Sequence, residues 1–146
     1  MSFGKQMQAY ARKRRQQLDK VVRASLLELS SAVIMRTPVD QGGAVGNWQP
    51  SIGSPASGTL PDLDKNGQAT IAKAAGTIQG AVGEVYWLTN NLPYISVLEY
   101  GLYGTGEYAT NATTRDGYSV KAPNGMLRIS ITEFESKLAR AIQASK

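Results

Sequence analysis

With neither histidine nor cysteine among its 146 residues, the chain has only carboxylates, lysines and tyrosines to do chemistry with. The commonest general base and the commonest metal ligand are both missing, so it cannot build Ser-His-Asp triads, Cys-His pairs or zinc sites alone. Carboxylate catalysis needs two acids facing each other across a cleft, and the pairs to weigh are Glu99 with Asp40, Glu84 or Glu107. Nothing in their spacing brings two of them together, and turn or capping roles account for Asp40 and Asp62. The run Gly101-Leu102-Tyr103-Gly104-Thr105-Gly106 has the look of a phosphate-binding loop. It lacks the Gly-Lys-Ser/Thr ending, and no strong helix follows it. On these grounds no catalytic residue, cofactor or metal ligand is expected.

The acid that stands out is Glu99. It lies in Asn91-Leu92-Pro93-Tyr94-Ile95-Ser96-Val97-Leu98-Glu99-Tyr100-Gly101, where Pro93 suits the first turn of a short helix and Gly101 the left-handed position that ends one. Tyr94, Val97 and Leu98 share a face of that helix. Glu99 falls in its last turn, against the negative end of the helix dipole, so it is expected to be tied to a specific donor. That donor is a basic group inside the subunit or across an interface.

Charge is the other asset. Residues 1–36 hold eight Lys/Arg and two Asp/Glu, a net +6, while residues 37–146 hold eight and nine, a net −1. The basicity is concentrated in Arg12-Lys13-Arg14-Arg15, which suits phosphates or an acidic protein face. A solvated helix face is the competing reading. A nucleic-acid-binding module using this basic helix is the alternative function, although no helix-turn-helix, zinc finger or aromatic platform accompanies the charges. Trp48, Tyr86 and Trp87 fall in predicted strands, where such residues are more often core.

The elements that must position these residues follow from periodicity and punctuation. From Lys5 to Met35 there is no Pro and no internal Gly, and Leu18, Val22, Leu26, Leu29 and Val33 recur at steps of three and four. This predicts a long amphipathic helix whose polar first part, residues 1–17, projects, frays or packs on a partner. Thr37-Pro38-Val39-Asp40-Gln41-Gly42-Gly43 ends it. A first strand is predicted over Ala44 to Ile52, with Trp48 and Ile52 on one face and Gly46 and Pro50 marking an edge or bulge. Residues 53–67 read as a mobile loop, in which Asp62, Asp64 and Asn66 are N-cap candidates for a helix over Gln68 to Ile78. A second strand spans Val82 to Asn90, and the Pro93–Gly101 helix follows. Residues 102–117, with Tyr103 and Tyr108 among glycines and threonines, read as a second mobile loop ordered by a partner. Tyr118-Ser119-Val120 is a last short strand. Ala122-Pro123-Asn124-Gly125 then leads into a helix from Met126 to Ala144 with the stripe Leu127, Ile131, Phe134, Leu138, Ala141 and Ile142.

One domain over 1–146 is expected, of class α+β: long N-terminal and C-terminal helices packed on a small, mostly antiparallel sheet, with short central helices and two long loops. No apolar run is long enough to span a membrane and no signal-peptide pattern opens the chain. The lack of cysteine fits a cytosolic origin.

In order, these pieces form a pattern: a basic helix, Thr37-Pro38-Val39-Asp40-x-Gly42, Asn47-Trp48-Gln49-x-Ser51-Ile52, Ala69-Thr70-Ile71, Thr89-Asn90-Asn91-Leu92-Pro93-Tyr94-Ile95, Leu98-Glu99-Tyr100-Gly101 and Ala122-Pro123-x-Gly125-Met126. Over roughly residues 20 to 144 this resembles the tail-completion, or neck, family of long-tailed bacteriophages, also called head–tail joining or minor tail proteins. The resemblance implies a non-enzymatic virion protein assembled in the bacterial host cytoplasm. It also implies a homo-oligomeric ring, with six subunits as the expected number, between the tail terminator or tail tube protein and the head-side connector or stopper. Such a ring encloses DNA without reading its sequence and involves no membrane. Pro38, Asp40, Gly42, Pro93, Tyr94, Glu99, Gly101, Pro123 and Gly125 are the structural motif positions. Arg12, Lys13, Arg14, Arg15, Glu99, Tyr103 and Tyr108 are the interface candidates. Residues 102–117 depart from shorter members, which pass quickly from the Glu-Tyr-Gly element to the Ala-Pro-x-Gly element.

Overall fold

A computed structural model describes residues 2–101, 118–119 and 121–144. The chain runs α1 (Phe3–Arg36), α2 (Gly43–Gly46), β1 (Gln49–Ile52), α3 (Gln68–Ile78), β2 (Tyr86–Thr89), α4 (Ile95–Tyr100) and α5 (Leu127–Ala144). It is α+β, with β1 and β2 paired antiparallel in the register Gln49 with Thr89 and Ile52 with Tyr86. Tyr103 and Tyr108, with the rest of 102–117, lie outside the described residues.

α1 is longer than the apolar stripe alone predicts. Ser2 caps it by accepting from the Lys5 amide, and its 34 residues extend roughly 50 Å. Only Ser30, Val33 and Ile34 are buried, and residues 2–18 are exposed throughout. The predicted stripe is therefore a core stripe only in its second part: Leu18 and Val22 face water, Leu26 and Leu29 are half-buried, and Val33 is buried. The helix stops at Thr37, whose backbone is extended ahead of Pro38.

The predicted strand over 44–52 is corrected in its first half, which is the helical turn α2. Gly42 takes φ +94°, and the amides of Gly46 and Asn47 donate to the carbonyls of Gly42 and Gly43, closing the turn before an extended segment can form. Trp48 therefore precedes the strand and is buried, whereas Ile52, predicted to share its face, is exposed. β2 is likewise shorter than 82–90, because Gly83 at φ +80° and a Glu84-to-Ala81 backbone bond hold its start in a turn. Trp87, expected in the core, is 39% exposed and donates from Nε1 to the Gly53 carbonyl. Of the strand expected over Tyr118-Ser119-Val120, Ser119 is a bridge residue and Val120 lies outside the described residues.

The core is small. Val33, Ile34, Val45, Trp48, Ala74, Ala122 and Met126 form it, with Val39, Ile71, Leu88, Ile95, Leu98 and Leu127 packed around. Trp48 anchors it through a relay: its Nε1 donates to Thr37 Oγ1 at 2.8 Å, and Thr37 Oγ1 donates to the Val33 carbonyl at 2.9 Å. The end of α1 and the start of β1 are thus one joint. Two turns back on the same side of α1, Tyr86 of β2 shares a hydrogen bond with Ser30 at 3.1 Å.

Candidate functional site

Glu99 is where the motifs converge. It sits at the end of α4, 4% exposed, with its carboxylate under the first turn of α5. Oε2 accepts from the amides of Met126 at 2.7 Å and Leu127 at 2.8 Å, and Oε1 accepts from the Arg128 amide at 3.0 Å and Arg128 Nε at 3.1 Å. The first turn of α5 leaves amides without helical partners, and the turn before it offers only Asn124 as a local cap. Glu99 supplies the acceptor from a distance in the chain. The acid at the unfavourable end of α4 is therefore at the favourable end of α5. Burial alone raises its pKa; the three backbone amides and Arg128 outweigh that and hold the carboxyl below its ordinary value.

Arg128 completes the cluster. Its Nη2 donates to the Glu99 carbonyl at 2.8 Å and to Tyr118 at 3.2 Å, and its guanidinium stacks 4.7 Å from the Tyr100 ring centroid. Two glycines make room for this. Gly125, at φ +77°, lies so close that a Cβ there would come within 2.6 Å of the Glu99 carbonyl oxygen. Gly101, at φ +70°, ends α4 as predicted, and a Cβ there would meet the Tyr118 ring at 2.6 Å. Glu99 thus finds its basic partner inside the subunit.

A second buried carboxylate does the same work at α3. Asp64 accepts from the Gly67 and Thr70 amides at 3.0 and 2.9 Å and from Thr70 Oγ1 at 2.7 Å. Here too burial raises the pKa, and the bonds led by Thr70 bring it below the ordinary value. The Asp64 amide donates to the Gly42 carbonyl, and a Cβ on Gly42 would lie 2.7 Å from the Asp64 backbone. That contact is why a glycine stands at the end of the Thr-Pro-Val-Asp-x-Gly run.

Motif residues also meet at a cleft of about 810 Å³ lined by residues 38–44, Leu63, Tyr94, Leu98, Ser119 and Lys121. Pro38, Asp40, Gly42 and Tyr94 come together here. Asp40 is exposed, and Lys121 Nζ donates to the Val39 carbonyl at 2.7 Å. Of the acids weighed as catalytic partners of Glu99, which lies under α5, Asp40 is exposed at this cleft, Glu84 is exposed in the turn before β2, and Glu107 is outside the described residues. Pro93 and Pro123 are exposed at the turns preceding α4 and α5. Among the described residues no three His, Cys, Asp or Glu side chains cluster as a metal site, and no helix is long and apolar enough to cross a membrane.

Arg12, Lys13, Arg14 and Arg15 are all exposed on α1. At 100° per residue, four consecutive positions point almost all the way round the helix, so they form a collar rather than a stripe. Arg14 folds back on Tyr10, with Nε donating to the hydroxyl at 3.1 Å.

Among the partners that carry the joints, Arg128 is the residue missed by sequence reasoning, whereas Thr37 and Asn47 stand in the quoted motifs without their roles; Asn47 clamps the segment 53–67 by exchanging hydrogen bonds with Leu60 at 3.0 and 2.7 Å. One signal was available for Arg128: an acid at the wrong end of one helix and an apolar start to another are complementary defects. Comparison with family models, with curated proteins and with solved structures gave no match.

Proposed function

We propose that this chain is a structural subunit of a long-tailed bacteriophage, a tail-completion or neck protein that forms a ring joining the tail to the DNA-filled capsid. Its partners are further copies of itself, expected to number six, the tail terminator or tail tube protein, and the head-side connector or stopper. The ring encloses DNA without reading it, and the protein acts in the virion after assembly in the host cytoplasm. One observation carries the reading: a long helix is anchored over its last third only and presents Phe3, Met7, Tyr10, Leu18 and Val21 to water beside a small core. Exposure of this kind on one helix suits a subunit completed by its neighbours.

Two further features agree with it. The buried carboxylates Glu99 and Asp64 are engaged in holding helix starts. The motifs on which the resemblance rests coincide with packing joints, namely Thr37 with Trp48, Gly42 with Asp64, and Glu99 with Gly125. The nucleic-acid reading is weakened by the collar, since charges spread around a helix cannot all face one phosphate backbone. Particles made without this protein test the proposal by electron microscopy: separate tails and filled heads are expected, and intact infectious virions would overturn it.

A further inference from the structure

The register of the two-stranded sheet fixes which backbone groups point outward. Ile52 faces Tyr86, and one residue on the Gly53 amide donates to the Val85 carbonyl at 2.8 Å, which makes Gly53 and Val85 a hydrogen-bonded pair. Such pairs alternate with non-hydrogen-bonded ones along an antiparallel ladder. Ser51–Trp87 and Gln49–Thr89 are therefore bonded across the sheet, whereas the amides and carbonyls of Ile52, Pro50, Tyr86 and Leu88 turn away from it.

The two outer edges are unlike. On the β1 side Pro50 stands at an outward position without an N–H, which blunts that edge. On the β2 side Tyr86 and Leu88 each present an N–H and a C=O, and among the described residues nothing bonds to any of the four. No charge, proline or glycine interrupts Val85-Tyr86-Trp87-Leu88-Thr89, and all but Leu88 are β-branched or aromatic. Tyr86 and Leu88 point their side chains at α1 and the core. Val85 and Trp87 lie on the opposite face, 60 and 39% exposed.

We infer that β2 pairs edge to edge with β2 of a second copy, antiparallel across a two-fold axis at Trp87, making one four-stranded sheet. Backbone geometry selects this occupant. Pairing needs an extended edge with free N–H and C=O groups, and the other such edge among the described residues is the one Pro50 blocks. With the axis at Trp87, Tyr86 of each copy faces Leu88 of the other, and all four outward N–H groups meet an outward C=O. Moving the axis to Tyr86 or Leu88 would spend a pair on Glu84 or Asn90, which lie outside the strand. The two Trp87 side chains form a non-hydrogen-bonded pair, where side chains approach closest, and Val85 falls opposite Thr89. Glu84 falls opposite Asn90, so no like charges meet. Neighbours in a head-to-tail ring are not related by a two-fold axis, so this contact is independent of the ring proposed above and joins one ring or free subunit to another.

Because the chain has no cysteine, single introduced cysteines report the register. Trp87→Cys should oxidise to a covalent dimer, since its two Cα atoms come within the disulfide range of about 4.4–6.8 Å. Val85→Cys and Thr89→Cys should each stay monomeric alone and cross-link when mixed. In the wild type, the Tyr86 and Leu88 amides should exchange fast in dilute protein and slowly in concentrated protein, with the Trp87 amide protected in both. Trp87→Lys should keep the circular dichroism and weaken association about 10-fold. Dimers from Val85→Cys alone, or equal yields from the exposed control Leu63→Cys, would overturn the inference. Protection of Tyr86 and Leu88 at every concentration would do so too, by placing the chain's own residues on the edge. Protection that grows with concentration without a Trp87→Cys dimer would put a different segment of the second copy there. An oligomer by light scattering in which both amides stay fast and which Trp87→Lys leaves intact would remove this contact and leave the ring.

Discussion

Glu99→Gln keeps the shape of the side chain under α5 but removes the charge that three amides and Arg128 all approach. A neutral amide has one acceptor oxygen, and its NH2 would face a donor, so the variant should lose about 2–3 kcal/mol in urea unfolding. The sign of the pH dependence follows from the lowered pKa. With the folded-state value below the ordinary 4.5, the unfolded chain takes up the proton first as pH falls. The contribution of Glu99 is thus complete well above pH 4.5 and disappears as pH drops through the folded-state value. Asp64 behaves alike, relative to its ordinary 3.8. Stability measured from pH 7 to pH 3 should fall more steeply in the wild type than in Glu99→Gln, the two curves converging in acid; parallel curves would refute this account. Gly125→Ala tests the same cluster from the other side. Its positive φ and a Cβ 2.6 Å from the Glu99 carbonyl should make it cost at least ~2 kcal/mol, far more than alanine at the open Gly76.

At the scale of elements, the joints are made by single polar side chains reaching across the fold. Asn47→Ala should free the segment 53–67 while leaving the core intact, seen as faster amide exchange at Leu60, whose N–H donates to Asn47 Oδ1 at 2.7 Å. Unchanged exchange there would mean that Gln49 and Asn91, which donate to Gly58, hold the segment unaided. The span of helix α3 was legible to the residue, because a stripe of Ile71, Ala74 and Ile78 is a local signal. The end of α4 at Gly101 was legible for the same reason. The N-cap of α3 was not, since Gly67 holds that position and Asp64, one of three candidates, accepts from the Gly67 and Thr70 amides from outside the helix. Nor was the first half of the 44–52 strand: an alternation of apolar residues cannot reveal that Gly46 packs so close to Asp62 that a Cβ there would lie 2.5 Å from its carbonyl oxygen. The site divided the same way. Glu99 could be singled out from its own neighbourhood, but Arg128 as its partner depends on how α4 meets α5.

For the molecule as a whole, an isolated helix arm of about 18 residues is marginal in water. Amides of residues 5–20 should therefore exchange much faster than those of 26–36 in dilute protein and become protected in the assembled ring. Equal protection in dilute protein would argue against a partner-stabilised arm. Gly101 meets the ring of Tyr118, and Arg128 bonds Tyr118 from the α5 side. That contact ties the end of α4 to the chain entering α5, so the seam between the two helices hinges on the absence of one methyl group. Gly101→Ala, with a positive φ and a Cβ 2.6 Å from the ring, should lower the melting temperature by several degrees, and an unchanged value would show that the seam holds without it.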